Sequence, residues 1–164
     1  MNVRPCAQSD LERINEIYNH YVRTTPITFD IEDIKIDARR EWLTHYAETG
    51  RHRAFVADDD GVVLGFATSS FFRPKRAYET SVEATVYVDA DHGGRGIGTK
   101  LYETLFAAIA NADIHRIYAG ITMPNEASVA LHAKFGFRQA GYFTEQGRKF
   151  GRYWDVAWFE REMT

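Results

Sequence analysis

The sequence predicts an α/β fold (α+β by some schemes), with a mixed, mostly antiparallel sheet of about seven strands flanked by about four helices. Two observations support this prediction. Segments in which apolar and polar residues alternate, as in a strand, are interspersed with segments whose apolar residues recur at helical spacing. In addition, a glycine-rich turn joins the most regular of these strands directly to a helix.

Length and composition indicate one globular domain that spans residues 1–164. Hydrophobic residues make up 45% of the chain and charged residues 26%, an ordinary mixture for such a domain. The net charge of −3 gives no overall attraction to nucleic acid or to an anionic membrane. No apolar run approaches a membrane span, and a lone cysteine, Cys6, without a leader peptide predicts a reducing, cytoplasmic compartment.

The N-terminal part of the chain predicts one strand and the first helix. Asn2–Pro5 is a candidate strand. Ser9 and Glu12 form the capping-box pattern that marks a helix start, and apolar residues follow it at helical spacing. Residues 27–36 have no clear period, so we expect an extended loop there.

The next segments predict a second helix and a hairpin. Asp37 is a candidate cap for this helix, and Gly50 is its candidate end. Residues 53–57 and 62–71 predict two strands joined by an acidic turn that ends in glycine. A loop with several basic residues, 72–79, separates this hairpin from the next strand.

The most regular strand spans residues 82–88, and four glycines follow it within residues 93–98. A helix then continues to about residue 111. Glycine lets a ligand approach the main chain, and a helix start presents unpaired N–H groups, so the turn predicts an anion site, most simply for phosphate. The order of its glycines differs from the dinucleotide fingerprint and from the P-loop.

The C-terminal part predicts a strand, a short helix and a final antiparallel pair. The strand covers residues 116–121, and the helix covers residues 126–135 and ends at a glycine. Residues 137–144 and 153–160 are the candidate pair, connected through residues 145–152.

Two of these segments resemble motifs of the GNAT superfamily of N-acetyltransferases. Residues 93–98 match the superfamily pattern Q/R-x-x-G-x-G/A, except that Gly93 stands where glutamine or arginine is usual. Residues 125–137 are similar to the superfamily segment that begins with asparagine and ends in a glycine and an aromatic residue. Two ordered motifs are far more specific than a lone glycine turn, and the resemblance covers essentially the whole chain.

A closer resemblance is to the phosphinothricin and methionine sulfone/sulfoximine N-acetyltransferase branch. It is carried by residues 16–20, 27–29, 82–88 and 149–156. The resemblance implies acetyl-CoA as the co-substrate, a small-molecule amine as the acceptor, direct transfer between them and a possible homodimer. Acetylation of a peptide or protein, a non-catalytic acyl-CoA sensor and a nucleotide-binding module remain alternatives.

Glu83 and His132 are the candidate catalytic residues that the resemblance implies. Glu83 lies within the regular strand and would remove a proton from the amine, since partial burial would raise the pKa of its carboxyl towards a useful value. His132 stands where many relatives have tyrosine and would protonate the departing sulfur. A solvated strand face or ion pair for Glu83 and a packing role for His132 are the alternatives, and water could protonate the sulfur instead.

For the cofactor, the resemblance implies that residues 86–88 bind the pantetheine arm through the main chain and that residues 94–99 hold the pyrophosphate. The candidate cofactor-binding residues are Val86, Tyr87, Val88, Gly94, Arg95, Gly96, Ile97, Gly98, Thr99, Asn125 and Lys134. A solvated helix lysine is an equally good interpretation of Lys134.

For the acceptor, the resemblance places a substrate loop before Glu83. The candidate substrate-binding residues are Phe29, Arg76, Ala77, Tyr78 and Glu83. A cation in this loop could hold a carboxylate, phosphinate or sulfone oxygen, with Lys75 or Arg73 as alternatives to Arg76, and a solvated charge run is the simpler interpretation. The histidines and the cysteine show no metal-ligand spacing, so no metal is expected.

Overall fold

The computed structural model describes residues 1–163, which form seven strands and four helices. The strands are β1 (Asn2–Pro5), β2 (Arg53–Asp59), β3 (Val62–Phe71), β4 (Ser81–Val88), β5 (Arg116–Thr122), β6 (Arg138–Lys149) and β7 (Arg152–Glu162). The helices are α1 (Leu11–Thr24), α2 (Ile36–Leu43), α3 (Ile97–Ile109) and α4 (Glu126–Lys134).

All seven strands form a single mixed sheet in the order β1-β2-β3-β4-β5-β7-β6. Only β4 and β5 run parallel, and each of the other neighbouring pairs is antiparallel. The predicted α/β class and the mostly antiparallel sheet are therefore confirmed.

Helices cover both faces of the sheet, and the alternation along β4 decides which side chains each face receives. On one face α3 buries Ile97, Leu101, Tyr102, Leu105, Phe106 and Ile109. On the other face α1 buries Leu11, Ile14 and Ile17. Val82 and Ala84 of β4 pack in the α3 cluster, whereas Tyr87 packs against the α1 cluster. Glu83 has the same parity as Tyr87 and therefore points away from α3.

The cap of the first helix and both ends of the second helix differ from the sequence prediction. A short 3₁₀ turn, Gln8–Asp10, precedes α1, and the Asp10 carboxylate accepts a hydrogen bond from the Ala7 N–H at 2.8 Å. Asp37 lies inside α2 and pairs with Arg40 at 2.6 Å, so it does not cap the helix. The last residue of α2 is Leu43, well before Gly50, which lies in the following loop.

The final hairpin is longer than predicted. Most of segment 145–152 continues β6 as far as Lys149, and only Phe150 and Gly151 separate it from β7. Irregular register between Phe143 and Gly147 explains why strand alternation is lost in the sequence there.

Gly65 allows β3 to approach β4 closely. A Cβ atom there would lie 2.7 Å from the Tyr87 carbonyl oxygen and 3.2 Å from the Val88 Cα, and backbone atoms cannot rotate away. We expect Gly65→Ala to lower the free energy of unfolding by about 1–3 kcal/mol, measured by urea denaturation. Gly141→Ala is the control, because a Cβ atom at that position would meet nothing within 4 Å. Equal midpoints for the two variants would contradict the prediction.

Candidate active site

The sheet opens between its two parallel strands. β4 and β5 pair only at their first positions, Ser81 with Arg116, Val82 with Ile117 and Glu83 with Tyr118. Beyond this point residues 83–87 of β4 and 119–122 of β5 line a cavity of about 380 Å³, here called the strand cavity. The separation of these two strands beyond Glu83 therefore opens a cavity in the middle of the sheet.

Glu83 lies at the point where this opening begins. Its side chain is half-buried, lines the strand cavity and makes no hydrogen bond or ion pair with residues 1–163. Burial raises the pKa of the Glu83 carboxyl above its usual range, and the charge of Arg73 opposes this shift only in part. A carboxylate in such surroundings is suited to accept a proton from a bound ligand.

His132 borders the same cavity but is only 3% exposed. Its Nδ1 lies 2.7 Å from the Ser128 carbonyl oxygen, and its Nε2 lies 3.0 Å from the Tyr102 hydroxyl. A carbonyl oxygen can only accept, so Nδ1 carries the proton and Nε2 accepts from Tyr102. Burial lowers the pKa of His132, with the Ser128 carbonyl opposing the shift, and this favours the neutral imidazole.

Tyr102 and Ser128 were missed by the sequence analysis. Ser128 lies four residues before His132, on the same side of α4, and helical spacing from His132 would have found it. Its hydroxyl is 3.4 Å from the His132 Nδ1. Tyr102 approaches from α3, and no local pattern relates it to His132 because the two residues are 30 positions apart.

A second, larger cleft of about 550 Å³ runs past the glycine turn and is here called the glycine cleft. The predicted cofactor residues that line it are Val86, Tyr87, Val88, Gly94, Gly96, Ile97, Gly98, Thr99, Asn125 and Lys134. Arg95 does not line it, since its guanidinium lies 3.5 Å from the Asp59 carboxylate.

The backbone of the glycine turn is suited to bind an anion. Gly94 and Gly96 have φ angles of 77° and 75°, which non-glycine residues rarely adopt. The turn leads straight into α3 at Ile97, whose first N–H groups have no partner within the helix. Gly98 lets α4 approach, because a Cβ there would lie 3.1 Å from Leu131. These groups fit the phosphates of coenzyme A.

The two cavities meet, because five residues line both of them. The shared residues are Ile27, Val86, Tyr87, Asn125 and Ser128. A long ligand in the glycine cleft can therefore extend one end along β4 into the cavity that holds Glu83. This arrangement suits a reaction between a group carried on that end and a second molecule beside Glu83.

The predicted acceptor residues are brought together only in part. Phe29 lines the strand cavity together with Glu83. Arg76, Ala77 and Tyr78 form an exposed 3₁₀ turn and are not among the residues that line this cavity. The β6–β7 hairpin instead contributes three residues that the sequence analysis did not single out, which are Gln146, Val156 and Trp158.

Two other kinds of feature are absent from residues 1–163. No group of three or more histidine, cysteine, aspartate or glutamate side chains is arranged to hold a metal ion in this part of the chain. No helix within it is long and apolar enough to cross a membrane.

Comparison with known proteins agrees with this geometry. Residues 3–158 match the family model described as the acetyltransferase (GNAT) domain. The chain is 56% identical to the phosphinothricin N-acetyltransferase of Streptomyces coelicolor, over 99% of this chain and 96% of that protein. It is 31% identical to the L-methionine sulfoximine/L-methionine sulfone acetyltransferase of Pseudomonas paraeruginosa, over 99% and 94% of the two chains.

A solved structure gives the same relationship in three dimensions. A GNAT superfamily phosphinothricin acetyltransferase from Sinorhizobium meliloti, solved in complex with acetyl-CoA, superimposes with a TM-score of 0.91. The two chains are 29% identical, and the match covers 98% of this chain and 87% of that one. On the family match, the identities and the shared fold, the protein belongs to the GNAT family of N-acetyltransferases.

Proposed function

We propose that the protein uses acetyl-CoA to acetylate the α-amine of a small amino-acid-like acceptor of the phosphinothricin, methionine sulfone or methionine sulfoximine type. The observation that carries this proposal is the half-buried Glu83 carboxylate in the strand cavity, which meets the glycine cleft along β4. The names of the relatives at 56% and 31% identity support this class of acceptor.

The glycine cleft would hold acetyl-CoA, which supplies the acetyl group as a thioester. The N–H groups at the start of α3 would bind its phosphates, and Asn125 and Lys134 also line this cleft. Residues 86–88 line the glycine cleft, and their main chain would bind the extended arm of the cofactor. Arg95 would contribute only its backbone, since its side chain faces Asp59.

Glu83 would act as the general base. An ammonium group has no lone pair, so the acceptor must lose a proton before its nitrogen can attack the thioester carbonyl. The Glu83 carboxylate has no protein partner in residues 1–163 to compete for that proton, and burial raises its pKa. An amine that enters the strand cavity would therefore meet a base in a partly desolvated site.

His132 would assist the departure of the coenzyme A sulfur. The neutral ring is fixed by Tyr102 and the Ser128 carbonyl, and Ser128, whose hydroxyl is 3.4 Å from Nδ1, lines both cavities. A proton could pass from this ring through the Ser128 hydroxyl to the thiolate. Because the imidazole is neutral at rest and both of its ring nitrogens are already hydrogen-bonded, we propose that His132 supplies this proton only after it has itself been protonated.

The dimensions of the strand cavity favour a small acceptor over a peptide. Its volume of about 380 Å³ is at the lower end for ligand pockets, and Phe29 and Gln146 are among its lining residues.

A homodimer stays a prediction. The β6–β7 hairpin carries four exposed aromatic side chains that are available for such a contact, which are Tyr142, Phe143, Phe150 and Tyr153.

The proposal is tested by measuring thiol release from acetyl-CoA with a panel of acceptors. The panel contains phosphinothricin, methionine sulfone, methionine sulfoximine, ordinary amino acids, polyamines and short peptides. We expect fast turnover to be confined to the first three compounds. Turnover on peptides alone would overturn the proposed acceptor, and tight binding of coenzyme A without turnover on any amine would favour an acyl-CoA sensor.

A further inference from the structure

Helix α2 carries a buried cation that the proposed reaction does not use. Arg39 is only 4% exposed. Its Nε donates a hydrogen bond to the Asn15 side-chain oxygen at 2.8 Å, and its guanidinium carbon lies 4.9 Å and 4.7 Å from the ring centres of Tyr18 and Trp42. Within residues 1–163 neither of its terminal nitrogens donates to a protein group, and no carboxylate forms an ion pair with it.

This arrangement leaves a positive charge with less compensation than its burial requires. A buried charge without an opposite partner is costly, and stacking against aromatic rings offsets only part of that cost. Burial accordingly lowers the pKa of Arg39, against the opposing influence of nearby tyrosines and Asp30. The N–H groups of both terminal nitrogens of the guanidinium are therefore available to a ligand that carries two neighbouring oxygen atoms.

Arg39 borders a cavity of about 390 Å³, here called the arginine cavity. The cavity lies between α2 and the sheet. The residues with hydroxyl groups that line it include Tyr46, Thr68, Ser70 and Thr85. The Tyr46 and Ser70 hydroxyls lie 2.8 Å apart and use one of their two protons in a mutual hydrogen bond, so the remaining proton and the threonine hydroxyls can donate to oxygen atoms of a ligand. Asp30 is the one carboxylate among the bordering residues, and it accepts a hydrogen bond from the Tyr18 hydroxyl.

The arginine cavity adjoins the strand cavity, and both are bordered by Thr85 and Tyr87. Ser70 pairs with Glu83 and Thr68 pairs with Thr85 in the β3–β4 register. Paired residues of neighbouring strands project from the same face of a sheet. A row of side chains therefore leads from Glu83 into the arginine cavity.

From this placement we infer that Arg39 binds an acidic group on the side chain of the acceptor, while the α-amine of the acceptor lies at Glu83. The inference rests on the proposed function. The α-carboxylate is attached to the same carbon as the amine and would remain in the strand cavity. A phosphinate-type group several bonds away can extend into the adjoining cavity, where the planar fork of Arg39 can bind two of its oxygen atoms.

The test compares acceptors that share the α-amino acid group and differ in side-chain charge. Phosphinothricin carries a phosphinate, whereas methionine sulfone carries an uncharged sulfone. We expect Arg39→Gln to raise the KM for phosphinothricin roughly tenfold to a hundredfold, with a much smaller change for methionine sulfone. The kcat at saturation and the KM for acetyl-CoA should stay unchanged, and Arg39→Lys should restore part of the loss.

Arg40→Gln is the matched control, since this neighbour on α2 is half exposed and, among residues 1–163, forms an ion pair only with Asp37. It should leave both acceptor KM values unchanged. Thr68→Val gives a second variant that keeps Arg39 and removes one hydroxyl from the arginine cavity, and it should raise the KM for phosphinothricin selectively. Thermal melting of every variant separates lost binding from lost folding.

Three results would overturn the inference. An unchanged KM for phosphinothricin in a folded Arg39→Gln variant would exclude any binding role. An equal rise for both acceptors would assign Arg39 to the shared α-carboxylate. Failure of phosphinothricin to bind the coenzyme A-loaded wild-type protein in calorimetry would also exclude it, whereas Arg39-dependent binding without turnover on any acceptor would support the inference and overturn the proposed function.

Discussion

Glu83→Gln should lower kcat roughly a hundredfold or more and leave the affinity for acetyl-CoA nearly unchanged. The amide keeps the size of the side chain but cannot accept the proton of the amine. Steady-state kinetics with the best acceptor of the panel measures the loss, and coenzyme A titration measures the affinity. The half-buried position of Glu83 and the absence of a protein partner in residues 1–163 are the reasons to expect a large effect.

The pH dependence of kcat/KM tests the role of Glu83 independently. Only the ionised carboxylate can act as the base, so wild-type kcat/KM should fall as the pH decreases through the pKa of Glu83. Burial raises that pKa, so the fall should lie above the range of an exposed carboxyl. The Glu83→Gln variant should not show this fall of kcat/KM at low pH. Glu103→Gln, at an exposed position of α3, is the matched control, and unchanged turnover of Glu83→Gln across pH would remove Glu83 as the base.

His132→Asn should lower kcat roughly tenfold to a hundredfold. The asparagine amide can still donate to the Ser128 carbonyl, but it cannot titrate and does not reach the Tyr102 hydroxyl. That hydroxyl would then be buried without an acceptor, which should cost about 1–3 kcal/mol of folding free energy. Kinetics and urea denaturation of the same preparation measure the two effects.

A double variant separates chemistry from packing. Adding Tyr102→Phe to His132→Asn removes the unsatisfied hydroxyl, so much of the lost stability should return. The kcat should stay low if the imidazole acts on the leaving sulfur. Recovery of kcat together with stability would show that His132 only supports the packing of α3 against α4.

The ends of several strands and helices show which features the local sequence pattern could predict and which it could not. The period of β4 and the glycines before α3 predicted both elements closely, because buried alternation and the turn are local properties. The predicted end of α2 and the predicted length of the β6–β7 hairpin were wrong. Gly50 lies beyond a helix that had already ended at Leu43, and irregular register in β6 hid the strand after Phe143.

The sequence likewise predicted some features of the candidate site and missed others. The sequence located the glycine turn and Asn125, which line the glycine cleft, and the parity of Glu83 within its strand. It gave no sign that Arg76 to Tyr78 would lie outside the strand cavity, or that Trp158 would line it. Those placements depend on how the loops and the hairpin fold across the sheet, and that folding joins segments distant along the chain.

By itself, the sequence determined which faces its strands and helices bury, where the chain can present unpaired N–H groups to a phosphate, and which superfamily it resembles. These features follow from periodicity and from glycine at fixed spacing. Only the tertiary structure decided that β4 and β5 part after Glu83, that Tyr102 fixes the ring of His132, and that Arg39 is buried without an anionic partner within residues 1–163. The physical reason is that hydrogen bonding and burial depend on atoms brought close by packing, and such neighbours are not encoded in any local pattern.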